Sequence, residues 1–356
     1  MDATFRPTRH VIPPLDGLRA LAVLLVIWAH LPLGVFGKPG NLLLLVFQPA
    51  YFGVDIFFIL SGFLITRILF VSREQGKPVK DFLIRRFARI FPIYYLTILV
   101  LAVVAPGMYL VWSGLYVSNF VFCWDTSRNA LKHTWSLCVE EHFYLVWPFL
   151  VYKLTPKATR TVSWWLVGIA FALAALITAF PMGLPFDALI YRATPFRMAS
   201  LAVGALLAYY EQWLWANKGA MVKMAVVAFV VAACVIGPVG FIKTNWGTAA
   251  KMLGFCLAST GVFLTGIASF QTGSLLERVL SKQVLPFIGR ISYGLYLYHH
   301  VVFYFLGVLP EPGKASPGLV RVALAVGLTF AVATLSFFFV EKPILDWVGR
   351  RKQAAA

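Results

Sequence analysis

Arg19 and His30 stand eleven residues apart in the apolar stretch LDGLRALAVLLVIWAH, residues 15–30. On a helix rising about 1.5 Å per residue they are roughly 16 Å apart. Eleven steps of about 100° bring both side chains to one face. A guanidinium is a fixed cation that forks onto phosphate or carboxylate. An imidazole is the side chain best suited to take and return a proton near neutral pH. One helix face thus joins an anion-holding group to a base. The structural alternatives are an interfacial arginine anchor and a helix-end histidine just before Pro32.

Four further stretches place ionisable groups in apolar surroundings, where each is expensive and is a functional candidate by default. In YFGVDIFFILSGFLIT, 51–66, Asp55 lies among Phe and Ile and needs a partner; it could orient an imidazole, as in a His–Asp pair. Ser61 and Gly62 in the same stretch form a small-residue notch, suited first to close helix packing. In RRFARIFPIYY, 85–95, Arg86 and Arg89 share a face. They serve either positive-inside anchoring or a forked phosphate site, for which coenzyme A is one suitable ligand. HTWSLCVEEHFYLVWP, 133–148, carries Trp135, Glu140, Glu141 and Tyr144, with Glu140 and Tyr144 on one face. Its acids either form a polar mouth to a span or complement a helix N-terminus. In GRISYGLYLYHH, 289–300, Ser292, Tyr296 and His299 follow at i, i+4 and i+7. That stripe would line a polar passage or hydrogen-bond to a neighbouring helix.

The sequence has no Gly-rich phosphate loop, nucleophile elbow, H-E-x-x-H or paired Cys/His metal set, so no metal is expected. Acid–base catalysis and proton-coupled transport both fit the residues that are present.

The elements that must hold these groups follow from composition. Of 356 residues, 60% are hydrophobic and 13% charged, against roughly 45–50% and about 25% in soluble domains. The expected fold is all-α: a polytopic membrane helix bundle of about ten transmembrane helices. The spans centre near Leu25, Ile59, Ile98, Val146, Phe171, Leu201, Val230, Val262, Tyr298 and Val332. With the N-terminus inside, 22 of the 31 Lys and Arg fall on inner segments, which puts both termini in the cytoplasm. The net charge of +17 therefore reads as membrane anchoring and not as a nucleic-acid footprint. One membrane domain is expected over residues 1–356, with the bundle at about 15–340, a short basic tail and no appended soluble domain. The first apolar segment reads as a retained signal anchor. The chain lacks clear two-halves symmetry, which weighs against a secondary transporter. Cys123 and Cys138 flank one loop, and spacing leaves their pairing open.

The five stretches, with FVEKP at 339–343, resemble the acyltransferase-3 family of integral membrane proteins, in family order from about residue 15 to 343. The resemblance implies O-acylation of sugar hydroxyls on a cell-surface polysaccharide, glycolipid or secreted glycosylated product. It implies acyl-CoA, usually acetyl-CoA, as a cytoplasmic co-substrate, and no bound cofactor. Arg19 and His30 fall on the family's arginine–ten residues–histidine element, Arg86 and Arg89 on its arginine pair, Glu140 on the glutamate after WSL, and Asp55 on the acid before FF. The HH pair at His299 and His300 departs from the more usual His–Trp. The expected mechanism has His30 as general base, with Glu140 or Asp55 orienting it or sharing the proton; a transient acyl-His30 is a second route. Arg19, Arg86 and Arg89 would hold the CoA phosphates. Ser61, Trp135, Tyr144, Ser292, Tyr296 and His299 are the pocket candidates. The expected partners are acyl-CoA, a glycan acceptor and the bilayer of the cell membrane. The competing class is a proton-coupled transporter or exporter of a lipid-linked sugar.

Overall fold

A computed structural model describes residues 12–32, 52–180, 183–240, 245–270, 272–310 and 316–353. Among them the protein is all-helical. The chain runs through α1 (Pro14–Ala29), α2 (Gly53–Glu74), α3 (Val79–Val104), α4 (Met108–Gly114), α5 (Ser118–Trp124) and a 3-10 turn (Lys132–Thr134). It continues with α6 (Trp135–Lys153), α7 (Pro156–Ala179), α8 (Phe186–Arg192), α9 (Thr194–Tyr209), α10 (Glu211–Ala216) and α11 (Lys218–Gly240). Then come α12 (Asn245–Ala268), α13 (Leu275–Ser281), α14 (Val284–Arg290), α15 (Ser292–Phe305) and α16 (Leu319–Ser336). A π turn (Phe337–Glu341), overlapping the FVEKP stretch, joins α16 to α17 (Lys342–Gln353).

Local chemistry sets several starts. Thr155 caps α7 by accepting from the Ala158 amide, with Pro156 in the first turn, where its missing N–H costs nothing. Ser274 caps α13 through the Glu277 amide.

Six helical segments are long and apolar enough to cross a bilayer: Gly53–Glu74, Val79–Val104, Pro156–Ala179, Lys218–Ile236, Trp246–Ala268 and Leu319–Arg350. The other four expected centres, Leu25, Val146, Leu201 and Tyr298, fall inside α1, α6, α9 and α15, with 16, 19, 16 and 14 residues. The difference has a physical basis. α3, α7, α11 and α16 turn residues such as Val103, Leu176, Val230 and Leu324 outward, as lipid-facing helices must. α1, α6, α9 and α15 bury most of their length against other helices. α1, α9 and α15 are shorter than the roughly 20 residues of a straight span, and α6 is diluted by Glu140, Glu141 and His142.

Glycines bring the inner helices together. A Cβ on Gly62 of α2 would collide with the Leu201 carbonyl of α9, and one on Gly204 of α9 with the Ile59 carbonyl of α2. The same reciprocity joins α1 to α13 and α14: Gly17 abuts the Leu280 backbone and Gly289 the Asp16 backbone. Small residues at both sides of a crossing let backbones touch. The notch at Ser61 and Gly62 thus divides its labour, with Gly62 packing and Ser61 facing a cleft. Gly204→Val should force α2 from α9, at about 1–3 kcal/mol or more for overpacking. The expected readout is a clear drop in melting temperature in detergent. Gly168→Val, at a position with open space around it, should melt like the parent. Equal melting of both variants would refute the crossing argument.

Cys123 and Cys138 are separate buried thiols: Cys123 Sγ bonds the Asn119 carbonyl at 3.2 Å and Cys138 Sγ the Ser118 hydroxyl at 3.1 Å.

Candidate active site

The α1 and α15 stripes expected from helical spacing lie side by side. At one end Arg19 Nε is 3.5 Å from Ser292 Oγ. At the other the His30 and His299 rings meet edge-on at 5.0 Å. The close backbone contact at Gly17 and Gly289 sets this register, since it fixes the start of α1 against the segment leading into α15.

The Arg19 end opens into a narrow cleft lined by Arg19, Ser61, Arg86, Arg89, Glu140 and Ser292, among others. Glu140 is held there by α2, α3 and its own helix, α6. Ser61 Oγ donates to Oε1 at 3.0 Å, the Tyr144 hydroxyl donates to Oε2 at 2.5 Å, and Arg86 Nη2 lies 3.7 Å from Oε2. Arg86 also bonds the Tyr144 hydroxyl and stacks over that ring, 4.0 Å from its centroid. Arg89 has no hydrogen bond or ion pair among the described residues. The cleft therefore holds three guanidiniums, one engaged by Glu140, in a form suited to a polyanion.

The His30 end opens into a second cavity of about 130 Å³. Its wall includes His30, His133, His300, Trp135, Tyr191 and Tyr296. With His299 behind it, four imidazoles cluster: the His133 ring is 4.7 Å from that of His300 and 5.0 Å from that of His299. Backbone carbonyls can only accept, so the bonds they make fix the tautomers. Nδ1 donates from His30 to Val26 O at 2.8 Å, from His299 to Tyr296 O at 2.7 Å, and from His300 to Ala130 O at 3.0 Å. In each neutral ring the lone pair is left on Nε2, the nitrogen that can act as base.

Val54 and Tyr296 line both spaces. The Tyr296 hydroxyl donates to the His133 carbonyl at 2.8 Å and, with its one proton used, accepts from Ser136 Oγ at 2.5 Å. Tyr296 is a fixed partition between the arginine cleft and the histidine cavity.

The structure brings Arg19, Arg86, Arg89, Ser61, Glu140, Ser292 and Tyr296 to one cleft, with Tyr144 bracing it from behind. It brings His30, Trp135 and Tyr296 to the other, with His299 packed against His30. Glu140 and Asp55 make their contacts away from His30. Glu140 meets Ser61, Tyr144 and Arg86. Asp55 lines neither space. Its Oδ2 takes Arg197 Nη2 at 2.6 Å and its Oδ1 takes Ser200 Oγ at 2.6 Å, with both partners of the ion pair buried. Sequence spacing missed Arg197, although the rule that marked Asp55 also marks an arginine inside the apolar α9. It also missed the cavity-lining residues Tyr191 and Arg192, and His133 stood out only as a flank of the acids.

A peptidoglycan O-acetyltransferase, OatA, of Listeria monocytogenes is 30% identical over 375 residues, covering 97% of this chain and 57% of that protein. An O-acetyltransferase, OatA, of Staphylococcus aureus is 29% identical over 362 residues, covering 94% of the chain and 57% of its own length. The chain thus spans little more than half of these relatives. No solved structure matches it. The family model described as an acyltransferase domain matches residues 12–339, and on that extent the chain belongs to the acyltransferase-3 family, as a multi-pass protein of the cell membrane.

Proposed function

We propose that the protein is a membrane O-acetyltransferase that moves an acetyl group from cytoplasmic acetyl-CoA to a sugar hydroxyl of a cell-surface glycan. The observation that carries this reading is the pair of spaces sharing Tyr296 and Val54, one lined with arginines and the other with imidazoles. Two substrates approaching from opposite sides need this division. Ten spans with both termini in the cytoplasm put the arginine cleft on the donor side, in keeping with the charge bias of the loops. The similarity to peptidoglycan O-acetyltransferases supports acetyl as the group and a wall glycan as the acceptor class.

In this mechanism Arg19 and Arg89 hold donor phosphates, and Arg86 lends charge while tied to Glu140. The thioester arm passes Tyr296 toward His30. His30 Nε2 takes the proton of the sugar hydroxyl as its oxygen attacks the thioester carbonyl, and the proton then leaves with the thiolate. The C–S bond breaks and the C–O bond forms. Glu140 positions Arg86 and Tyr144, and Asp55 holds α2 to α9.

The reading is tested by purified protein in vesicles given labelled acetyl-CoA and a panel of glycans. Labelled ester on a glycan supports it. Movement of a sugar across the membrane with no acetyl on it would make the protein a transporter instead. Within the working enzyme, Arg89→Ala should raise the donor KM about 10- to 100-fold, the worth of a charge-assisted contact of about 1.5–3 kcal/mol. Acceptor KM should hold; a change in acceptor KM alone would remove Arg89 from the donor site.

A further inference from the structure

We infer that the histidine cavity takes a sugar bearing an anionic group, a carboxylate or a phosphate, with the anion against Lys132 and Arg192 and the sugar ring against Trp135. Calling that ligand the acceptor rests on the acyltransferase reading; the binding preference does not.

Lys132 and Arg192 both line this cavity, and among the described residues no acid does. The nearby Asp125 turns its carboxylate to the Ser127 amide at 2.8 Å, and it is the Asp125 backbone carbonyl that takes Lys132. Arg192 Nη1 is spent on the Phe122 carbonyl, while its buried Nε has no partner among the described residues. His133 is only 3% exposed, and among the described residues neither ring nitrogen makes a hydrogen bond of ordinary geometry, the Leu297 backbone being its nearest approach to one. Buried polar atoms are nearly always satisfied in a folded protein, so two such groups on one wall mark a surface shaped for something else to satisfy. Burial and the neighbouring Arg192 pull the Lys132 ammonium below its ordinary value, and Asp125 offsets this only in part, so two like charges are held close at one wall. An anion between them relieves this.

The rest of the wall selects the ligand class. The Trp135 and Tyr191 rings meet at 5.0 Å and 51°, giving flat apolar faces beside convergent donors. A pyranose presents the matching pair, an apolar C–H face and a rim of hydroxyls. The wall is braced from behind, since the Arg197 guanidinium lies 5.7 Å from the Trp135 centroid and 5.5 Å from that of Tyr191. His30 opens on the same cavity, so a hydroxyl near the bound anion faces the base.

The test is equilibrium binding by calorimetry to the full chain in nanodiscs at low and high salt. The probes are a disaccharide containing glucuronic acid, the same disaccharide with glucose, and its 6-phosphate. The charged probes should bind at least about tenfold more tightly at low salt, with the preference shrinking as salt screens it. The arm that binds better identifies the anion. Arg192→Gln and Lys132→Gln should each erode the preference, and Arg192→Lys should keep it. Lys132 is the more exposed of the two, so its variant is informative if Arg192→Gln does not fold. Equal binding of neutral and charged probes, no binding at all, or displacement of a bound charged probe by free CoA would overturn the inference. A binding preference without acetyl transfer leaves this inference standing and fails the transferase reading. Transfer with equal KM for neutral and charged acceptors does the reverse.

Discussion

His30→Ala should lower acetyl transfer by about 10²- to 10⁴-fold, the usual worth of a positioned general base. The geometry supplies the reason. Its Nδ1 proton is spent on the Val26 carbonyl 2.8 Å away, so the lone pair sits on Nε2 and the ring is held by its own helix. His299 and His300 are held in the same tautomer by other carbonyls and pack around it. They are poor substitutes: His299 does not line the cavity, and His300 is fixed to the loop before α6. Membrane insertion and melting should be unchanged, because His30 is the C-cap of α1 and its side chain is partly buried. Transfer is read as labelled ester formed per minute with donor and acceptor saturating. Activity at the parental level would remove His30 from the chemistry and leave the histidine cluster a packing feature.

The parts of this site that sequence made legible are the local ones. Arg19 to His30 and Ser292 to His299 are each set by one helix's geometry, so their faces could be computed from spacing. What spacing could not give is the partner across helices. Asp55 meets Arg197, 142 residues away, and Ser61 meets Glu140, 79 residues away. The physical demand was readable, since an acid in an apolar span must be paired. The choice of partner was not: it depends on the glycine crossings that set which turn of α9 lies beside α2. His133 shows the same limit. Its ring packs against Tyr296, His299 and His300 of α15, more than 160 residues away, which no single stretch displays.

Breaking the Asp55–Arg197 pair is the second large effect. Both side chains are sealed from solvent, at 0% and 2% exposure, with the charged atoms 2.6 Å apart. Removing one partner strands the other charge in a low-dielectric interior, which costs about 3–5 kcal/mol. Arg197→Ala should therefore lower the melting temperature sharply. It should also weaken transfer, because the same guanidinium braces Trp135 and Tyr191. The double change Asp55→Leu with Arg197→Met should recover much of the stability, since apolar side chains of similar bulk can replace a buried ion pair. Transfer should return only in part, as the aromatic wall regains packing but not its cation. Asp55→Asn separates the two roles an acid can have here. If the carboxylate is structural, stability and transfer fall together, and conditions that restore folding restore activity. Loss of transfer with an unchanged melting curve would return Asp55 to the proton chemistry. The present geometry argues against that outcome, because both of its oxygens are committed to α9 and neither lines a space that a substrate can enter.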